Sequence, residues 1–395
     1  MSRDAMAALG LLTAQAVRDR AHEMLAAALA GEVAEWRVDL ARLEAAADLT
    51  AQVTREAYPD LDVPFHARWR HFAVAGRDLW GAREKPWSDR KARARAEFDL
   101  AITSVLLDAG AGAAWRYRDA ATGAVLARSE GLGIASLRLF ESGALSAERD
   151  DPLRADGLAR IDAEALARAF QVSGDNPLVG LEGRAALLRA LGAAVGRPGA
   201  LFDVMAARTV GGELPAPAIL EVLLAALGPI WPGRLRLGGV PLGDCWRHPA
   251  IRRDDPTNGL MPIHKLSQWL SYSLIEPLET AGVKVVEIDG LTGLAEYRNG
   301  GLFVDTGVLA LADPADAARA HPVDGTLVVG WRALTVALLD RIAPLVRERL
   351  GVGAADFPLA RVLEGGTWAA GRRIARSLRA DGGPPLTVVS DGTVF

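Results

Sequence analysis

Three residues with helical spacing, Lys265, Gln268 and Trp269, have the side-chain types needed to hold an anionic group of a small molecule. They stand at positions i, i+3 and i+4 of a predicted helix, so their side chains project from one face. Only four of the 45 basic residues are lysines, and a lysine retained beside an amide and an indole indicates a specific need. The alternative is a lysine whose apolar stem extends along a solvated helix face.

A second set of candidate residues lies downstream, in the segment 291–301. Glu296 and Arg298 are embedded there among apolar residues and glycines. A carboxylate in such surroundings is either paired with a cation for structural reasons or acts as a base or charge stabiliser. The structural alternative is an ion pair of Glu296 with Arg298 or with Lys265, and the spacing alone favours neither interpretation.

Composition and motifs exclude several common chemistries. The 395 residues include 45 basic and 49 acidic ones, which leaves no surplus positive charge for a nucleic-acid backbone. The chain has no Walker-type phosphate loop, no zinc-protease helix and no Gly-x-Ser-x-Gly nucleophile motif. The single cysteine, Cys245, excludes a disulfide framework and points to a reducing compartment. No stretch is apolar enough to span a bilayer, so we expect a cytoplasmic protein without a membrane or nucleic-acid partner.

Three histidines, His66, His71 and His248, could in principle be combined into a metal site. They are scattered along the chain and belong to no ligand motif. Hydrogen bonding in the core or in a cleft is the better interpretation of these side chains. We therefore expect neither a metal ion nor another cofactor.

The elements that must position the candidate residues are predicted to be mainly α-helical with a minor β-ribbon, an α+β arrangement. Helical periodicity with capping and glycine signals predicts the helices, and alternation around Gly123 predicts a β-hairpin over Trp115–Arg128. A short strand is predicted over Val283–Ile288, and a tight turn or short helix over Gly290–Arg298 that ends at the glycine pair 300–301. The predicted helices are Thr13–Ala30, Val38–Ala57, Asp89–Asp108 capped by Ser88, Asp162–Phe170, Leu181–Val195, Ala218–Leu227, Pro262–Glu276 and Trp331–Leu350.

These elements group into three consecutive regions of one compact, multi-lobed unit. Residues 1–110 are predicted to form an N-terminal helical region, and residues 111–260 combine the β-hairpin with further helices. Residues 261–395 form a C-terminal helical region, which carries the candidate site.

Several segments resemble a family of fungal and bacterial proteins tied to uracil catabolism. They are His264–Leu270, Leu291–Asp305, Leu363–Arg372 and the terminal Ser390–Phe395, and the similarity extends over nearly the whole chain. The resemblance implies a place in a pathway that converts uracil to its nucleotide and opens the ring. Urea is then released from a ribosylurea-type intermediate.

A fainter resemblance connects the same residues with the queuosine-salvage nucleotide glycohydrolases. Those proteins have a Lys-x-x-Gln helix followed by Leu-Thr-x-Phe-Ala-Asp-Tyr-Arg, which Lys265, Gln268 and Leu291–Arg298 match in order. A Pro-Leu followed by Glu-x-Arg, here ending at Arg184, is similar in both. The resemblance implies a helical architecture like that of DNA glycosylases, and it places Glu296 where that family has an aspartate.

Together the resemblances imply a hydrolase that cleaves the N-ribosidic bond of a small ribonucleotide-like compound, specifically ribosylurea 5′-phosphate, giving urea and ribose phosphate. Such cleavage passes through an oxocarbenium-like transition state, which a carboxylate beside C1′, here Glu296, stabilises. A 5′-phosphate needs a cation, for which Lys265 or Arg298 is suited. An aromatic group, Tyr297 or Trp269, can cover the sugar face.

Weaker candidates for the site are Asp289, Asp305, His66 and Arg184. Asp289 or Asp305 would take over the carboxylate role if Glu296 proved dispensable. Two other classes of function stay open: an amidohydrolase that acts on the opened pyrimidine ring, and a non-enzymatic protein that binds pathway intermediates. A glycosidase releases free sugar phosphate, an amidase releases ammonia or an acid, and a binding protein releases nothing.

Overall fold

A computed structural model describes residues 1–82, 87, 89–108 and 110–389, and this part of the chain is mainly helical with short strands, as predicted. The helices are α1 (Arg3–Gly10), α2 (Ala14–Leu29), α3 (Leu43–Ala57), α4 (Arg90–Leu106), α5 (Arg128–Glu141), α6 (Ala163–Ala169), α7 (Leu181–Val195), α8 (Leu201–Ala206), α9 (Ala216–Leu227), α10 (Lys265–Thr280), α11 (Tyr297–Asp305), α12 (Thr326–Leu350), α13 (Leu359–Val362) and α14 (Trp368–Leu378). The strands are β1 (Trp36–Val38), β2 (Ala73–Val74), β3 (Arg77–Asp78), β4 (Tyr117–Arg118), β5 (Val125–Leu126), β6 (Glu213–Pro215), β7 (Arg236–Leu237), β8 (Val240–Pro241), β9 (Cys245–Arg247), β10 (Leu260–Pro262), β11 (Lys284–Val286), β12 (Leu309–Leu311), β13 (Ala320–Pro322) and β14 (Thr387–Val389). The likeness to DNA glycosylases stays a prediction.

Each sheet within the described ranges is a ribbon of two short strands. β4 and β5 form the predicted hairpin, which turns at Gly123 with a φ of +73°, a conformation that glycine adopts without steric cost. Two ribbons are parallel and join strands that are distant in sequence, β6 with β11 and β13 with β14. Some ribbons are therefore local hairpins and others connect separate segments of the chain.

The first of two compact units comprises residues 1–66, 234–268 and 287–389. Its central element is α12, which packs against α2 and α3. Leu334 and Leu338 of α12 are fully buried at helical spacing, and burying each such side chain stabilises the fold by about 1.5–3 kcal/mol. None of the described helices, α12 included, is both long and apolar enough to cross a membrane.

The second unit comprises, among the described residues, 67–233 and 269–286. Its central element is α4, which is buried along most of its length and packs against α5, α7 and α8. The division between the units falls inside α10, between Gln268 and Trp269. Each unit contains residues from all three of the consecutive regions predicted from the sequence.

Local signals place several helix ends correctly. α7 has the predicted bounds, α2 begins after the capping residue Thr13, and α12 ends at Gly351, whose φ is +72°. The predicted cap Ser88 lies outside the described residues, and Asp89 caps α4 with its side chain. The terminal segment Ser390–Phe395 also lies outside the described residues.

The helix predicted over Pro262–Glu276 was bounded by two prolines, Pro262 in its first turn and Pro277 after its end, and both bounds are wrong. Pro262 belongs to β10 and not to the first turn of a helix, which starts instead at Lys265. At the other end, α10 continues through Pro277 to Thr280. Leu274 and Leu278 beside this proline are fully buried, so their packing offsets the hydrogen bond that a proline removes from a helix.

Two further elements differ from the prediction because of pairing and capping. The helix predicted from Val38 begins only at Leu43, since Val38 pairs with β12 in a ribbon. The segment Gly290–Arg298 does not form one short helix. It is largely an irregular stretch that leads into α11, and α11 runs through the glycine pair at 300–301 that was expected to end it.

Candidate active site

Glu296 is the N-cap residue of α11. Its carboxylate accepts hydrogen bonds from two backbone N–H groups of the first turn, Oε2 from Arg298 at 2.7 Å and Oε1 from Asn299 at 2.6 Å. The residue is only 8% exposed. Burial raises the pKa of the Glu296 carboxyl above its ordinary value, against the opposing effects of the Arg298 N–H group and the positive charge of Lys265. The fold therefore fixes the orientation of this buried carboxylate.

The start of α10 is fixed by a second buried carboxylate, Asp244. Its Oδ2 accepts the backbone N–H of Lys265 at 2.9 Å, and Arg332 donates to both of its oxygens at 2.8 Å. Burial alone would raise the pKa of Asp244, but the Arg332 guanidinium holds it well below the usual range. His264, just before the helix, has a φ of +50°, a strained conformation for a residue with a side chain. The backbone from which Lys265 projects is thus firmly positioned.

Positive charge reaches the Glu296 carboxylate from two other segments of the first unit. Lys265 lowers the pKa of Glu296, and a protonated His66 does the same. The charges of the predicted cation Lys265 and of the weaker candidate His66 thus both act on the predicted carboxylate Glu296.

Two fully buried amide side chains, Gln268 and Asn299, bind the chain just before α11. Gln268 Oε1 accepts the backbone N–H of Thr292 at 3.3 Å, and Asn299 Nδ2 donates to the carbonyl of Leu294 at 3.1 Å. These backbone partners fix which amide atom is nitrogen and which is oxygen. Gln268 Nε2 and Asn299 Oδ1 have no hydrogen-bond partner among the described residues, so the pair offers one buried donor group and one buried acceptor.

His66 forms a close pair with Glu364, which the sequence did not single out. Its Nδ1 lies 2.6 Å from Glu364 Oε2, and the two side chains are 6% and 14% exposed. Glu364 belongs to a π-helical turn, Leu363–Thr367, between α13 and α14. A Cβ on Gly366 in that turn would lie 2.6 Å from the side chain of Thr50, so only glycine lets the turn approach α3. Such π turns are frequent at functional sites.

The π-helical turn is joined to Glu296 through α14. The ring of Trp368, the first residue of α14, lies 6.0 Å from that of His66. One turn later, a Cβ on Gly371 would lie 2.1 Å from the carbonyl oxygen of Arg298, so the backbones of α14 and α11 touch. We call the following residues the Glu296 cluster: Glu296, Lys265, Gln268, Asn299, His66 and Glu364.

The remaining substrate-binding candidates lie outside the Glu296 cluster. Trp269 belongs to the second unit, where it stacks edge-on with His71 and lies under the guanidinium of Arg68. Arg298 contributes its backbone to the site, while its guanidinium donates to the carbonyl of Gly382 at 2.7 Å and lies over the ring of Tyr297. Lys265 and Gln268 belong to the first unit, whereas Trp269 packs within the second.

The other weak candidates have structural partners. Asp289 pairs with Arg347 at 2.7 Å, and Asp305 accepts two hydrogen bonds from Arg379. Arg184, in the second unit, is buried and donates to backbone carbonyls, among them that of Gly110 at 3.0 Å. Within the described residues, no three His, Cys, Asp or Glu side chains are grouped closely enough to hold a metal ion.

Sequence reasoning missed Glu364, Asn299 and Asp244. Glu364 was within reach, since it precedes two glycines inside the segment Leu363–Arg372 that carries the family resemblance. Asp244 gave no signal, because its partner Arg332 is remote in sequence.

The fold and the Glu296 cluster define a mainly helical protein with a buried site of carboxylate, imidazole and amide groups. The chain belongs to the family described as "Protein of unknown function (DUF1688)", which matches residues 10–395. It is 39% identical over 405 residues to "Protein urg3" of Schizosaccharomyces pombe, which covers 98% of both chains. It is 36% identical over 412 residues to "Uracil catabolism protein 4" of Lachancea kluyveri, which covers 92% of this chain and 93% of the relative. The resemblance to this family is confirmed.

Proposed function

We propose that this protein is a hydrolase that cleaves the N-ribosidic bond of ribosylurea 5′-phosphate, giving urea and ribose phosphate. The observation that carries the proposal is the buried Glu296 carboxylate, which two backbone N–H groups orient and which lies in the field of Lys265. Cleavage at C1′ develops positive charge on the ribose. A preoriented carboxylate away from bulk water stabilises that charge and accepts the proton of the attacking water.

The metabolic context is supported by a relative. The protein from Lachancea kluyveri is named a uracil catabolism protein, and we extend a role in uracil breakdown to this chain. A ribosylated urea, built from N1, C2 and N3, is what remains of a ribosylated uracil once C4, C5 and C6 of the ring have been removed.

The two buried amides support urea as the leaving group. Urea presents one carbonyl acceptor and several N–H donors. Gln268 Nε2 is a donor and Asn299 Oδ1 an acceptor, and neither has a partner among the described residues. Buried polar groups are costly when unpaired, and a ureido group carries both the acceptor and the donor types that these two atoms require. Lys265, whose charge acts on the same site, is suited to the 5′-phosphate.

The test is to incubate the purified protein with ribosylurea 5′-phosphate, ribosylurea and uridine monophosphate, and to follow urea, ribose phosphate and ammonia by mass spectrometry. We expect urea and ribose phosphate to appear together, chiefly from the first compound. Ammonia without sugar phosphate would instead identify an amidohydrolase acting on an opened ring. Tight binding of these compounds without any turnover would identify a binding protein.

Lys265→Met tests the phosphate contact, because methionine keeps the apolar stem and removes the charge. We expect kcat/KM for ribosylurea 5′-phosphate to fall tenfold to a hundredfold, corresponding to about 1.5–3 kcal/mol for hydrogen bonds to a charged group. Turnover of unphosphorylated ribosylurea should change little. Lys284→Met is the matched control, since Lys284 is exposed and pairs with Glu213 at the surface. An equal loss on both substrates would contradict the assignment.

A further inference from the structure

We propose that His66 is the general acid that protonates the leaving urea nitrogen and that Glu364 is its positioning residue, an inference that rests on the proposed hydrolase activity. Besides Glu296, the Glu296 cluster contains a second group that can transfer a proton, the imidazole of His66. The charge stabilisation and water activation assigned to Glu296 do not use it. Cleavage of an N-riboside has two requirements, charge stabilisation at C1′ and a proton for the departing nitrogen. The His66–Glu364 pair meets the second.

The pair has the geometry of an oriented imidazole. His66 Nδ1 lies 2.6 Å from Glu364 Oε2, a short contact typical of a bond to a carboxylate. Because Nδ1 donates to Glu364, any proton that His66 exchanges with a ligand passes through Nε2. The backbone N–H of His66 donates to the carbonyl of Ala360 at 3.0 Å, so both ends of the residue are held.

Packing contacts of α14 connect this imidazole with the helix turn that Glu296 caps. Trp368 packs against the His66 ring, and the same helix touches the first turn of α11 through Gly371 and the Arg298 carbonyl. Glu296 caps that turn. A positive charge on His66 also lowers the pKa of Glu296.

The reaction balances with these two groups. The C1′–N bond breaks and its electron pair goes to the nitrogen, which takes the proton from His66 Nε2 and leaves as neutral urea. The oxygen of a water molecule bonds to C1′, and Glu296 accepts the proton of that water. Ribose phosphate leaves, and His66 regains a proton from solvent while Glu296 releases one. Without an acid, urea would have to depart as a strongly basic anion.

Dependence on the leaving group distinguishes an acid from a structural residue. We would compare kcat/KM for ribosylurea 5′-phosphate and for 4-nitrophenyl ribofuranoside 5′-phosphate, whose phenolate departs without a proton. His66→Gln is expected to lower the rate on ribosylurea 5′-phosphate by about a hundredfold or more, the range for lost general acids. The nitrophenyl substrate should lose far less and so reports that the variant is folded. Glu364→Gln should give a smaller loss with the same preference.

Controls separate this proposal from the proposed function. His22→Gln removes another histidine of the first unit that pairs with a carboxylate, Asp340 at 3.0 Å, and should leave both rates unchanged. Glu296→Gln should lower both. Equal losses on the two substrates with His66→Gln, or no loss on either, would overturn the role of His66 alone. If the wild-type protein cleaves neither substrate, the proposed hydrolase activity itself fails.

Discussion

The carboxylate of Glu296 caps α11 and is also the candidate reactive group. Helix N-caps are most often Asn, Asp, Ser or Thr, whose short side chains reach the first-turn N–H groups. Glu296 makes the same contacts with a longer side chain in buried surroundings, where ionising a carboxyl is unfavourable. Capping by itself would be met by a shorter residue. The proposed reaction, which needs a carboxylate at this position, accounts for a residue type that capping alone does not require.

We expect Glu296→Gln to lower turnover about a hundredfold or more, as for other lost transition-state stabilisers, with the fold intact. Since the folded-state pKa lies above the ordinary 4.5, the carboxyl contributes stability that is fully present below pH 4.5 and is lost as the pH rises through its folded pKa. The stability of the wild type relative to the variant should therefore fall with rising pH. Thermal unfolding at pH 4 and pH 8, with steady-state kinetics, checks both points, and a fully active variant would exclude Glu296.

At the level of elements, the candidate site depends on how closely α11 and α14 approach. The contact runs through Gly371, where a Cβ would lie 2.1 Å from the carbonyl oxygen of Arg298. That atom is backbone and cannot rotate away, so any side chain must push the two helices apart. Such a shift would move the Glu296 cap relative to the π-helical turn that carries Glu364.

Gly371→Ala is expected to destabilise the protein by about 1–3 kcal/mol, the usual cost of overpacking, and to lower activity further than the loss of folded protein explains. Gly183→Ala in α7 is the matched control, because no atom lies within 4 Å of the added Cβ. There alanine should stabilise the helix by up to about 1 kcal/mol. Chemical denaturation of both variants measures the difference, and equal effects at the two positions would contradict the packing argument.

Across the whole molecule, two buried carboxylates make the free energy of unfolding depend on pH in opposite directions. In the first unit, Arg332 holds the pKa of Asp244 well below its usual range despite burial. Its contribution to stability is therefore present above about pH 3.8 and is lost only as the pH falls further. In the second unit, burial raises the pKa of Asp99 to about 6, although Arg197 pairs with it at 2.7 Å. That contribution is present below pH 3.8 and is lost as the pH rises through about 6.

Asp99→Asn should isolate the second effect. Between pH 4 and pH 7 we expect the wild type to lose free energy of unfolding relative to the variant, with little further change above pH 7. Urea denaturation at pH 4, 5.5, 7 and 8 provides the measurement. A difference between the two proteins that stays constant over this range would show that Asp99 titrates normally in the folded state.

The sequence by itself determined those features whose physical causes are local. Helical periodicity located α7 and all but the first five residues of α12, and glycine signals located the end of α12 and the β4–β5 hairpin. Residue type alone marked Glu296 as a carboxylate in apolar surroundings. These inferences succeed because each depends on side chains within a few turns of one another.

Only the tertiary structure decided which groups meet. Gln268 and Trp269 are neighbours in sequence, but Gln268 binds the backbone of Thr292 whereas Trp269 packs against His71 and Arg68, since successive side chains of a helix point about 100° apart. His66 and Glu364 are separated by 298 positions and lie 2.6 Å apart. The periodicity of the sequence does not reveal such a pairing. It arises because His66 binds the backbone of α13 and the π-helical turn packs against α3. The candidate carboxylate could be read from the sequence, whereas its proton-transfer partner depends on long-range contacts that arise only when the chain folds.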